Sequence, residues 1–147
     1  MEKINVSFNE IDFYARTIAD RLKDRDITHV VGLARGGVIP ATIMCYVLDK
    51  PLLTTGVRSY EEDKKTKDLL TYQPLNIKEL KEVNAHVLIV DDICDSGETM
   101  TYISDQMTLA NVKRTNVCIF TKEKHKEWLD HYGLVVSDNK WIVFPWE

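Results

Sequence analysis

Three carboxylates fall within five residues in Asp91-Asp92-Ile93-Cys94-Asp95, and Ser96-Gly97-Glu98-Thr99 follows at once. Like charges at this spacing repel one another, so the segment is costly unless a cation, sugar hydroxyls or basic neighbours balance it. Gly97 lets backbone N–H groups converge at the start of a helix, with the Ser96 and Thr99 hydroxyls beside them, which makes a cradle for a phosphate. One loop thus offers hydroxyl and metal acceptors at one end and phosphate donors at the other. A sugar phosphate fits both.

A second candidate is Arg35-Gly36-Gly37, which follows the β-rich run Thr28 to Ala34. Alone, Arg-Gly-Gly between a strand and a helix is a tight turn. Beside the acidic segment it reads as a second anion loop, with glycines opening backbone geometries closed to other residues and Arg35 offering a guanidinium. It is neither a Walker A loop nor G-x-G-x-x-G, so nucleotide hydrolysis and hydride transfer lose their usual support. His29, His86, His125 and His131 follow no metal-ligand spacing and read as structural or surface groups. Cys94 reads as a small packing residue.

These loops need elements to hold them. Ser7 and Glu10 form a capping box that opens a helix, whose apolar face carries Ile11, Tyr14, Ala15, Ile18, Ala19 and Leu22. A second helix spans about 39–48, with Pro40 in its tolerated first turn. Strands are expected over 28–34, 52–57, 86–90, 115–120, 134–136 and 141–144, a short helical turn over 76–83, and a helix from the acidic loop to about Ala110. Residues 58–68 are polar with little to bury, which predicts a mobile loop or an open hairpin. Strands alternating with helices indicate βαβ units, a parallel sheet, and ligands at the carboxyl ends of the strands.

Composition bounds the rest. A chain of 147 residues with 44% apolar and 29% charged side chains is an ordinary globular domain. Its net charge of −4 argues against a nucleic-acid partner held by bulk charge. No apolar run reaches the ~18 residues of a membrane span, and Met1 to Val6 lacks the apolar stretch of a secretion signal. The three cysteines, Cys45, Cys94 and Cys118, have no C-x-x-C spacing, so reduced thiols in a cytoplasmic setting are expected.

The run Val87 to Thr99 resembles the signature of the type I phosphoribosyltransferases: an apolar strand, paired acids, a third acid four positions after the first, then Ser-Gly-x-Thr. Val30 to Ala41 looks like that family's first active-site loop. Phe120-Thr121-Lys122 and Trp141-Ile142-Val143-Phe144-Pro145-Trp146-Glu147 are similar to the bacterial xanthine-guanine branch, which has Asp where this chain has Glu147. The resemblance runs in patches over nearly the whole chain.

It implies a single α/β domain, residues 1–147, with a Rossmann-like parallel sheet, a flexible catalytic loop at about 59–73 that includes Ser59 and Tyr60, and a small base-binding hood mainly over 122–147. It implies phosphoribosyl pyrophosphate and a purine base as partners, and Mg²⁺ as cofactor, held by Asp91 and Asp92 partly through water. Asp91, Asp92, Asp95, Ser96, Gly97, Glu98 and Thr99 would hold the ribose and 5′-phosphate, and Arg35, Gly36 and Gly37 the pyrophosphate. Asp95 would be the general base, and Lys122, Trp141, Ile142 and Glu147 would meet the base. Lys122 suits a 6-oxo acceptor and Trp141 a stacking platform. Relatives are commonly dimers or tetramers, which implies a homodimer or homotetramer.

The activity implied is purine salvage with guanine, xanthine or hypoxanthine. Two alternatives stand beside it: the same chemistry on adenine or a pyrimidine, and a regulatory nucleotide- or RNA-binding protein on the same fold.

Overall fold

The structure, a computed structural model, describes residues 1–63 and 66–147, and for 58–63, 66–70 and 72 the backbone alone. Strand β1 (Glu2–Asn5) leads into helix α1 (Phe8–Arg21), which starts at the expected capping box: the Glu10 N–H donates to Ser7 Oγ at 3.1 Å. Then come β2 (His29–Leu33), α2 (Val38–Leu48), β3 (Leu52–Asp63), β4 (Thr66–Tyr72) and α3 (Ile77–Glu82). The second half comprises β5 (His86–Cys94), α4 (Glu98–Leu109), β6 (Lys113–Lys122), a 3-10 helix (Glu123–Trp128), β7 (His131–Val136) and β8 (Lys140–Val143).

Six strands form one sheet in the order β4-β3-β2-β5-β6-β7, parallel except for the β3–β4 pair. The central strand shows why. Val87 to Val90 are all fully buried, Leu88 and Val90 in the core shared with α1 and α2, Val87 and Ile89 in the core shared with α3 and α4. A strand apolar on both faces needs helices on both faces, and that is the doubly wound arrangement.

Three features refine the sequence reading. First, β5 does not end at Val90. It continues to Cys94, with Asp91 opposite Cys118 and Ile93 opposite Phe120, because β6 is long enough to keep the ladder paired.

Second, of the mobile loop or open hairpin expected over 58–68, the backbone takes the hairpin. Ser59 pairs with Leu69 and Tyr60 with Asp68, so Ser59 and Tyr60 stand on β3. Polar side chains do not prevent a backbone ladder that grows from a strand already anchored in the sheet. Of the lysines in this stretch, Lys64 and Lys65 lie outside the described residues.

Third, β1 pairs in parallel with β8, Lys3 opposite Trp141, so the amino-terminal residues complete the carboxyl-terminal hood. An aromatic column ties that hood to the core: Tyr14 meets Phe120 at 5.7 Å, Phe120 meets Phe144 at 5.8 Å, and Phe144 stacks on Trp146 at 4.8 Å. Among the described residues, no helix is long and apolar enough to cross a membrane.

Candidate active site

In parallel α/β sheets the site forms beyond the carboxyl ends of the strands, and register decides which loops meet there. Gly32 of β2 lies opposite Val90 of β5, so the turn Ala34 to Gly37 leaves the end of β2 beside Asp91 and Asp92, which are still on β5. On the other flank Cys94 lies opposite Thr121 of β6, so Asp95 and Lys122 follow from adjacent strands at the same edge. The three sequence motifs therefore converge.

The acids carry the electrostatic signature expected of them. The Asp92 N–H donates to Asp91 Oδ1 at 2.9 Å and the Ile93 N–H to Asp92 Oδ1 at 2.7 Å. Burial, and then the adjacent Asp92 carboxylate, hold the Asp91 carboxyl well above the ordinary carboxylate range. Burial also raises Asp92, and the Glu147 carboxylate adds to that, so the last residue of the chain lies within electrostatic reach of the acids.

Beside them is Gly36. A β-carbon there would lie 1.9 Å from Asp92 Oδ2. Arg35 is exposed on the same turn, while the Gly37 N–H is used within the turn, donating to Leu33 O at 2.9 Å. The Ala34–Arg35 peptide is cis.

Beyond β5, Asp95 and Ser96 are exposed and Gly97 begins α4 with φ of 78°, the left-handed backbone that glycine accepts without strain. The Glu98 N–H donates to Ser96 Oγ at 3.3 Å, so the Ser96 hydroxyl caps the helix as well as facing the loop. Thr99 is half-buried in the first turn.

The hood residues divide. Lys122, 5% exposed, donates from Nζ to Ser137 O at 3.0 Å and to Lys140 O at 2.7 Å. An ammonium has three N–H donors, and two of them hold the turn between β7 and β8. Trp141 leaves 52% of its surface exposed, as an open platform requires. Ile142 does not join the site by its side chain. It alternates inward on β8 into the core with Phe144, so only its backbone can meet a base.

Sequence reasoning missed Trp128. It lies in the 3-10 helix after Lys122, and a β-carbon on Gly97 would strike its ring at 2.0 Å. A helical turn of six residues with no apolar periodicity leaves no signal that this indole reaches the acidic loop.

A doubly wound parallel sheet with paired acids and two glycine-bearing turns at its carboxyl edge defines the class, an α/β fold with its candidate site where such sheets bind ligands. Residues 2–147 match the phosphoribosyl transferase domain family, and the chain belongs to it. Its relatives include xanthine-guanine phosphoribosyltransferases from Cereibacter sphaeroides, 30% identical over 97% of this chain and 86% of that one, and from Chromohalobacter salexigens, 28% identical over 99% and 85%. Among solved structures, a purine phosphoribosyltransferase from Pyrococcus horikoshii superposes with a TM-score of 0.80 at 27% identity, covering 100% of this chain and 95% of that one.

Proposed function

We propose that this phosphoribosyltransferase moves the 5-phosphoribosyl group from phosphoribosyl pyrophosphate to N9 of a 6-oxopurine (guanine, xanthine or hypoxanthine), releasing pyrophosphate and forming the nucleoside monophosphate. The observation that carries the base class is the pairing of Cys94 with Thr121, which sets Asp95 and Lys122 at one sheet edge. A cationic donor there favours a 6-oxo acceptor over the 6-amino group of adenine.

Breaking the C1′ bond builds an oxocarbenium-like cation on the sugar and negative charge on the leaving pyrophosphate. Arg35 and the Gly36 backbone meet that charge, and Asp91 and Asp92 hold the ribose hydroxyls. Asp95 takes the proton displaced from the base, a role worth roughly 10²–10⁴-fold in rate. Backbone donors over Asp95–Thr99 grip the 5′-phosphate, Trp141 stacks on the base and Glu147 closes its pocket. The hairpin of β3 and β4, with Ser59 and Tyr60, folds over the reacting atoms and keeps water from the cation.

The acid pair fits Mg²⁺. Both are hard oxygen ligands whose carboxyl pKa values are raised by burial, and each accepts a backbone N–H on one oxygen. Two carboxylates suit a cation that keeps waters and shares substrate oxygens. When bound, Mg²⁺ neutralises charge on the pyrophosphate.

The free thiols of Cys45, Cys94 and Cys118 support a reducing, cytoplasmic setting. The exposed Tyr46 of α2, 81% accessible, is offered as one contact of the homodimer or homotetramer that the relatives suggest.

The test is direct: incubate the protein with Mg²⁺, phosphoribosyl pyrophosphate and a panel of nucleobases, and separate the products. Monophosphates of guanine, xanthine or hypoxanthine are expected. Product from adenine or a pyrimidine alone would overturn the base assignment.

A further inference from the structure

Trp128 is absorbed by none of the roles above, yet it touches the phosphate loop. Its indole lies so close to Gly97 that a β-carbon there would stand 2.0 Å from Cζ3 and 2.4 Å from Cε3. Gly97 is therefore constrained twice, by its left-handed φ and by the ring in front of it.

The ring is firmly held. It stacks on the buried His125 ring with centroids 4.6 Å apart and planes 28° from parallel. Its own carbonyl accepts from Asn116 Nδ2 at 3.3 Å, and the same amide donates to Ser104 Oγ of α4 at 3.1 Å. Two residues on, Asp130 is clamped to Asn116, with the Asn116 N–H donating to Asp130 Oδ2 and the Asp130 N–H to Asn116 O, both at 2.8 Å. The segment after Lys122 is thus pinned to β6 and α4 at once. Trp128 is 43% exposed and lines a cleft of about 390 Å³ shared with Glu98, Tyr102 and Asp105.

We infer that Trp128 is a positioning residue for the donor's 5′-phosphate. It is the rigid wall that fixes the Gly97 backbone, and through it the N–H groups at the start of α4, at the place the phosphate occupies. The inference rests on the reading of Ser96–Thr99 as the phosphate loop. Without the wall, the loop can sag into the cleft, and displacement on the ångström scale is enough to cost one to two orders of magnitude. Because Trp128 acts through Gly97 and touches no reacting atom, the loss belongs in donor affinity and not in turnover.

The experiment compares wild type, Trp128→Ala and Trp128→Phe, using ribose 5-phosphate as the calorimetric probe and the steady-state reaction as the second readout. Trp128→Ala is expected to weaken ribose 5-phosphate binding and raise KM for phosphoribosyl pyrophosphate by about tenfold or more, with kcat and the base KM within about threefold. Trp128→Phe, which restores a flat ring, should recover donor affinity to within about threefold. Ribose 5-phosphate should also change tryptophan emission in wild type and in Trp141→Phe, but not in Trp128→Phe. A folded Trp128→Ala with wild-type donor affinity overturns the inference alone. If Trp128→Ala does not fold, an emission change that persists in Trp128→Phe overturns it. Failure of the wild type to bind ribose 5-phosphate overturns the phosphate-loop reading, and this inference with it.

Discussion

Gly36 and Asp92 are packed so closely that a methyl group on the glycine would lie 1.9 Å from Asp92 Oδ2. Gly36 lies in the turn after β2 and Asp92 on β5, and they belong to the two proposed ends of one substrate, the pyrophosphate and the ribose. Gly36→Ala must therefore displace either the turn or the acid. We expect kcat/KM for phosphoribosyl pyrophosphate to fall at least ~10²-fold with the fold intact, since displacing preorganised groups by about an ångström costs that much. Circular dichroism beside donor kinetics checks this, and unchanged kinetics would show that the contact is idle.

Asp91 is expected to weaken the protein that it serves. Its pKa is raised by burial and by Asp92, so the folded state holds the proton more tightly than the unfolded chain. The sign follows: stability declines as pH rises from the ordinary carboxylate range through the raised value. Asp91→Asn keeps the Oδ1 acceptor for the Asp92 N–H and removes the charge. In Mg²⁺-free buffer at neutral pH its Tm should exceed that of wild type, the two converging near pH 4, while turnover falls at least ~10²-fold. Melting curves across pH with chelator present would expose a wrong sign.

For Asp95, exposed just past the end of β5, the expectation separates chemistry from binding. Asp95→Asn should cut turnover by roughly 10²–10⁴-fold and leave donor binding near wild type. Rapid-quench turnover with calorimetry of donor binding distinguishes the two, and wild-type turnover would remove Asp95 from its role.

Lys122 is expected to carry two separable functions. Its ammonium serves Ser137 O and Lys140 O, so Lys122→Ala removes two hydrogen bonds that hold the β7–β8 turn and should cost about 1–3 kcal/mol in stability. Use of 6-oxopurines should fall further than pyrophosphate binding. Urea titration paired with base kinetics would detect equal losses, which would make the lysine structural only.

Much of this was legible from residues 87–99 and 30–41, because a strand buried on both faces and a glycine-bearing turn leave dense local patterns. The register that unites them was not, since pairing of Gly32 with Val90 and of Cys94 with Thr121 is a tertiary fact. At β3 and β4 side-chain polarity leaves loop and open hairpin both open, and only the backbone ladder selects the hairpin. Ile142 was placed at the base through its neighbours in sequence, although strand alternation turns its side chain to the core. Strand β1 escaped notice because four residues, three of them exposed, carry almost no periodic signal.

The central claim is that the edge formed by Asp91 to Thr99 receives the activated sugar. A crystal structure with Mg²⁺ and phosphoribosyl pyrophosphate should show the ribose hydroxyls on Asp91 and Asp92, the 5′-phosphate on the backbone of Ser96 to Thr99, and the pyrophosphate on the Arg35–Gly36 turn. Density for the donor at any other surface, with this edge free of it, would contradict the account.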